Sequence, residues 1–209
     1  MKHLPQIRVL IDDPDYDPED GIMQFRLIYS GRLLGASRNN TRASHKHEIR
    51  RKLHPQLRRL WAHLDMDNMV GQKRSEVYPA KFPLGDYRFF PLVRCNSAPV
   101  CAIHVLLLKY GEPTRVVQSG DIDAKAKTLL DALRKPNNMD ELGGYDTPSD
   151  DEKPFYVLLE DDRLVTQLSI ETDTLLDPIA RDTGSHDNDA LVVLTVTIRS
   201  QMTDLTVLS

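Results

Sequence analysis

Cysteine is almost absent from this chain of 209 residues: Cys95 and Cys101 are the only two, with no CxxC and no second pair. That scarcity excludes a disulfide framework or a cysteine zinc site and favours a reducing compartment. No apolar run approaches the length needed to cross a bilayer, while 40% apolar residues are enough to bury one core. The start, MKHLPQIRVLIDDPDYD, turns acidic where a signal peptide needs a continuing apolar segment and a small-residue cleavage site. A cytoplasmic protein without a membrane segment is expected. His45, His47, His54 and His63 show no HExxH spacing, and IDDPDYDPED (11–20) lacks the spaced ligands and closing glutamate of a calcium loop. His104, inside an apolar run, reads as a satisfied core or edge residue rather than a ligand.

The charge that is present is unevenly spread. A net charge of −4 argues by itself against a polyanionic partner. Between Arg32 and Arg59, however, nine basic residues face one acid, Glu48, so the rest of the chain carries −12. Such asymmetry suits either one phosphate-binding face or a solvated basic helix. In this stretch Ile49, Leu53, Leu57, Leu60, Trp61 and Leu64 recur every three or four residues, which predicts a helix whose other face carries the arginines. Pro55 is expected to split it.

Around the basic helix the patterning predicts strands. IMQFRLIYS (22–30) alternates, and YRFFPLVR (87–94) and PVCAIHVLLLKYG (99–111) read as strands separated by a CNSAP turn, the second of them central in a sheet. Residues 66–86 read as irregular. A second helix begins at Asp121 to Asp123 and ends near Arg134, before Pro136, with Ile122, Ala126, Leu129, Leu130 and Leu133 on its buried side. YVLLEDDRLVTQLSIETD (156–173) holds an apolar run, three acids and a renewed alternation, and ALVVLTVTIRS (190–200) is a last strand. Two acidic, turn-rich stretches, 134–155 and 177–189, are expected to be mobile surface insertions. The sum is a single α/β (α+β) domain over 1–209, with a mixed sheet and two main helices.

Two clusters of acids carry the chemistry. Asp121 and Asp123 have a sufficient local explanation, because aspartate caps a helix start and favours its dipole, and Lys127 can pair at i,i+4. Glu160, Asp161 and Asp162 are different: three consecutive acids beside a buried strand repel one another unless solvated or relieved by a cation.

Together these residues resemble the RusA family of Holliday junction resolvases. The pattern D-x-D-x-x-x-K-x-x-x-D-A-L, here Asp121, Asp123, Lys127 and Asp131-Ala132-Leu133, is followed by apolar residues and by D-D-x-x-V, here Asp161, Asp162 and Val165. The likeness covers roughly residues 100–133 and 156–200. It departs from the family at Ala124, where a polar residue, often asparagine, is usual, and in its long connector. The resemblance implies a homodimeric Mg²⁺-dependent endonuclease, with Mn²⁺ as a possible substitute, that cuts four-way DNA junctions in recombination and repair. It implies Asp121, Asp123 and Asp162 as metal ligands and catalytic carboxylates, Asp161 as a supporting carboxylate, and Lys127 as the functional lysine. Arg50, Arg51, Lys52, Arg58 and Arg59 are the candidate phosphate contacts. The other expectation is a DNA-binding or accessory protein that keeps the fold without cleavage.

Overall fold

Alternation along four long segments builds the larger of two sheets. The computed structural model describes residues 22–36, 42–63, 82–95, 100–110, 119–177 and 188–199. Its strands are β1 (Ile22–Arg32), β2 (Pro83–Leu84), β3 (Tyr87–Val93), β4 (Val100–Tyr110), β5 (Phe155–Leu159), β6 (Val165–Leu175) and β7 (Asp189–Arg199), and its α-helices are α1 (Ala43–His63) and α2 (Ser119–Leu133). The larger sheet has the order β1-β7-β4-β6, antiparallel except for the parallel β4–β6 pair. Phe25, Leu27 and Tyr29, then Ile103, Val105 and Leu107, then Val192, Leu194 and Val196 turn one face inward. The smaller sheet, β2-β3-β5, pairs β3 and β5 in parallel. All five residues of β5 are buried, as an unalternating FYVLL run requires. The fold is thus mixed α+β.

Helix α1 is the common neighbour of these parts, packing on β1, β5 and α2. It runs unbroken through Pro55, against the sequence expectation. Ile49 and Leu53 before the proline and Leu57 and Leu60 after it are all in the core, so packing on both sides outweighs one missing N–H. The same helix protects the free edge of β1. Gln56 exchanges two hydrogen bonds with the backbone of Ile28, at 2.9 and 2.7 Å, and Lys52 Nζ donates to Ser30 O at 2.8 Å.

The strands flanking CNSAP belong to different sheets, β3 to the smaller and β4 to the interior of the larger. One further expectation is corrected: the connector 134–155 is not a surface excursion, for it folds back onto α1. Leu142 and Glu152 are buried, and Arg134 pairs with Glu141 at 2.9 Å. Gly143 adopts a φ of +61° and lies so close to α1 that a Cβ there would sit 2.1 Å from Ser44 N. The second predicted insertion, 177–189, and the irregular 66–86 stretch lie largely outside the described residues.

A buried polar cluster joins α1 to the remainder. His47 Nδ1 faces Arg50 Nη1 at 3.0 Å, and its ring stacks on Phe155. His54 Nδ1 accepts the N–H of Tyr156, while its Nε2 meets Asp151 O, both at 2.9 Å. Burial, reinforced by Arg50, lowers the His47 pKa to about 3, and burial also lowers that of His54.

Below pH 6.5 the unfolded chain therefore binds a proton that folded His47 refuses. The stabilisation is complete above that pH and fades as the pH falls toward about 3. Urea unfolding between pH 7 and 4 is expected to show falling stability in acid. His47→Gln should remove about one proton from that dependence, ~1.4 kcal/mol per pH unit; an unchanged slope would refute the assignment.

Candidate metal centre and nucleic-acid face

The two acid clusters are carried by elements that touch. Helix α2 packs against the short 3₁₀ turn Asp162–Leu164 that follows β5. The contact follows from how the chain re-enters after its connector. Lys135 N–H donates to Leu159 O at 2.9 Å, which ties the end of α2 to the end of β5. Glu160 N–H then donates to Val93 O, also at 2.9 Å, and the chain turns into the acids.

Each acid has its own surroundings. Glu160 Oε2 accepts the N–H of Cys95 at 2.9 Å. Asp161 caps the turn, accepting from Arg163 N at 3.0 Å and from Arg163 Nε at 2.8 Å. Arg163 holds the Asp161 carboxyl below the usual carboxylate range. Asp162 itself is exposed, and its charge is felt at Arg134. Two of the three repelling acids are thus relieved within the protein, which leaves Asp162 as the carboxylate facing solvent.

On α2, Asp123 and Lys127 are exposed one turn apart, while Asp121 lies in the helix with its side chain outside the described residues. Among the described residues no three His, Cys, Asp or Glu form a metal-ligating group. Asp131 belongs to the scaffold instead: it is buried and binds Lys46 of α1 at 2.6 Å. Ala124 has a packing reason to be small. The segment after β1 is pressed against it, Ala36 N–H donating to Ala124 O at 2.7 Å, and a Cβ on Gly35 would lie 2.8 Å from the Ala124 Cβ.

The basic helix is more committed than its composition suggests. Arg50 is only 2% exposed, so its expected place at a DNA surface is corrected. Its guanidinium donates to Asp131 O at 2.8 Å and to Arg134 O at 3.0 Å, closing the C-terminus of α2. Burial lowers the Arg50 pKa to about 10, which leaves it charged at neutral pH. Arg51 binds Glu152 and lies over the Tyr145 ring. Burial alone would raise the Glu152 carboxyl, but the Ser149 N–H and Arg51 overcome it and hold the group low. Arg58 donates to Asp151 O at 2.9 Å. Lys52, Arg58 and Arg59 remain exposed.

Sequence reasoning passed over Lys125, which is 2% exposed on the inner side of α2. The signal was there: 125 falls on the stripe of Ile122 and Leu129, so helical spacing places it inward. His104 is neither core nor edge: it is exposed on the interior strand β4 and meets Ser169 Oγ of β6 at 2.9 Å.

Removal of the Arg163 guanidinium should free the Asp161 carboxyl. In Arg163→Gln, a ¹³C carboxyl titration is expected to move Asp161 up toward the ordinary aspartate range; no movement would show that the pairing does not set its acidity. Compared with family models, curated proteins and solved structures, the chain matches none.

Proposed function

We propose that the protein is a magnesium-dependent endonuclease that hydrolyses phosphodiesters in branched DNA, a RusA-like junction resolvase of recombination and repair. One observation supports this above the others: the helix bearing D-x-D-x-x-x-K packs on the turn bearing Asp161 and Asp162. In this reading Asp121, Asp123 and Asp162 hold the ion, and the exposure of Asp123 and Asp162 suits hard oxygen ligands that share a cation with substrate phosphate. Bound Mg²⁺, or Mn²⁺ in its place, would supply an activated water and stabilise charge on the phosphate. Asp161 keeps the turn in shape through Arg163, and Lys127 offers its ammonium to the scissile phosphate.

A homodimer would set two such sites on a four-way junction, matching the two-fold symmetry of the branch. The substrate would be cytoplasmic, nucleoid DNA. Lys52, Arg58 and Arg59 are the surface cations of α1 left for backbone phosphates, and their contribution would be salt dependent and indifferent to sequence.

A second reading, a DNA-binding or accessory protein without cleavage, draws on the internal pairing of α1. Arg50 and Arg51 are spent on the chain's own carbonyls and carboxylates, which leaves a weaker cationic face than a nuclease of this type would use.

Incubation with a synthetic four-way junction, linear duplex and single strands, with Mg²⁺ or with chelator, separates the two. Magnesium-dependent cutting of branched DNA is expected, with Asp123→Asn and Asp162→Asn each reducing it about a hundredfold while junction binding persists. Binding without cutting in any branched substrate would favour the accessory reading.

A further inference from the structure

The face of the larger sheet turned away from α1 carries a polar pattern that neither the core nor the proposed hydrolysis uses. Strand register aligns its outward side chains in rungs. One rung reads Gln24, Thr197, Ala102 and Gln167 across the four strands. The next reads Arg26, Thr195, His104 and Ser169. Farther along the strands the rungs turn apolar, through Val193 and Leu106.

Arg199 and the members of these two rungs other than Arg26 line a depression of about 270 Å³. Pockets for organic ligands usually enclose roughly 300–1,000 Å³ and are mostly apolar. This one is smaller, open to solvent and rich in donors, and so suits a small anionic group better than an organic molecule. Arg199 and Arg26 are both exposed beside it. Hydroxyls come from Ser169, Thr195 and Thr197 and amides from Gln24 and Gln167, while no carboxylate is among the described lining residues. Gln24 Nε2 already donates to Thr197 Oγ1 at 3.0 Å, which fixes that pair in place. Among the described residues, Glu171 stands a rung away and faces His104 Nε2 at 3.6 Å. Among the described lining residues His104 carries the one aromatic ring, and no Phe, Tyr or Trp is there to stack a base.

The depression lies at the end of the sheet where β6 leaves the acidic turn. Gln167 is five residues beyond Asp162, a separation of at most about 17 Å along the chain. That distance is a reach of a few nucleotides on a strand.

We propose that this depression is a phosphate-binding subsite, with Arg199 as its principal cation, which holds a backbone phosphate of the nucleic acid a few nucleotides from the bond at the Asp162 turn. The inference rests on the nuclease reading for its substrate but not for its binding chemistry. The guanidinium of Arg199 grips the phosphate oxygens as a charge-assisted donor, and the hydroxyls and amides complete the cradle. Such a contact positions the strand and carries no sequence information.

The test uses the whole protein with chelator present, so that no cleavage intervenes. Affinities for a four-way junction and a linear duplex are measured over a salt series for the wild type, Arg199→Gln and Gln167→Glu. Arg199→Gln is expected to weaken both DNAs alike, about five- to tenfold, and to reduce the slope of log affinity against log salt by about one. Gln167→Glu, which puts a carboxylate into the cradle, should weaken binding further; both sites are exposed, and unaltered circular dichroism would verify the fold. Inorganic phosphate should shift the amide resonances of Thr195 and Thr197 in the wild type and not in Arg199→Gln. Unchanged affinity and slope in both variants would overturn the subsite, as would a change in sedimentation mass without a change in DNA affinity, which would assign the face to a second copy. Absence of magnesium-dependent cutting by the wild type would remove the nuclease reading while leaving the phosphate and salt results in force. Cutting with an unaltered salt slope would remove the subsite alone.

Discussion

A guanidinium inside the protein, that of Arg50, holds the two helices in their mutual position. It reaches from α1 to the carbonyls of Asp131 and Arg134, where the dipole of α2 is most negative and where those acceptors would otherwise be buried without a donor. Burying such a charge costs several kcal/mol, and removing it from partners that remain buried typically costs about 3–5 kcal/mol. Against a total stability of about 5–15 kcal/mol for a domain, that is a large share. The neighbouring Lys46–Asp131 pair strengthens the same seam, and the Lys135–Leu159 bond carries its position forward to the acidic turn. What brings the two acid clusters onto touching elements is therefore a network with no direct part in chemistry.

The connector 134–155 completes that network from the other side. Glu152 of the connector takes Arg51 of α1, and the Asp151 carbonyl accepts from Arg58 and meets His54 Nε2, while within the connector Arg134 pairs with Glu141. A basic helix and an acidic insertion, distant in sequence, partly neutralise each other. The strong asymmetry between one stretch and the rest of the chain is in this respect an internal complementarity. The cations that stay exposed, including Arg59 on the helix and Arg26 and Arg199 on the sheet, lie on two different surfaces.

How much of this was legible in the sequence depended on the range of the interactions. Periodicity is local, and β1, β4, β7 and α2 fall within a few residues of where alternation and helical spacing put them. The unbroken α1 was not legible, because the local rule for Pro55 gives way to core contacts on both sides of it. The separation of β3 from β4 was hidden because pairing with β5 comes from some sixty residues away. Arg50 reads as one arginine among several; only its long-range acceptors set it inside. In the candidate site, the sequence pointed to Asp161 and Asp162 as repelling acids but did not reveal that Arg163 relieves the first. Lys125 was visible on the apolar stripe and hidden only by the habit of reading lysine as surface.

A shared metal centre requires that the aspartates of α2 and of the turn after β5 serve one cation. Mn²⁺, a paramagnetic stand-in for Mg²⁺, tests this directly through the broadening of amide resonances at substoichiometric metal. Broadening is predicted at residues 122–124 and 161–163 together, and at neither segment in Asp162→Asn. Broadening confined to one segment, or undiminished by that substitution, would contradict a shared metal centre.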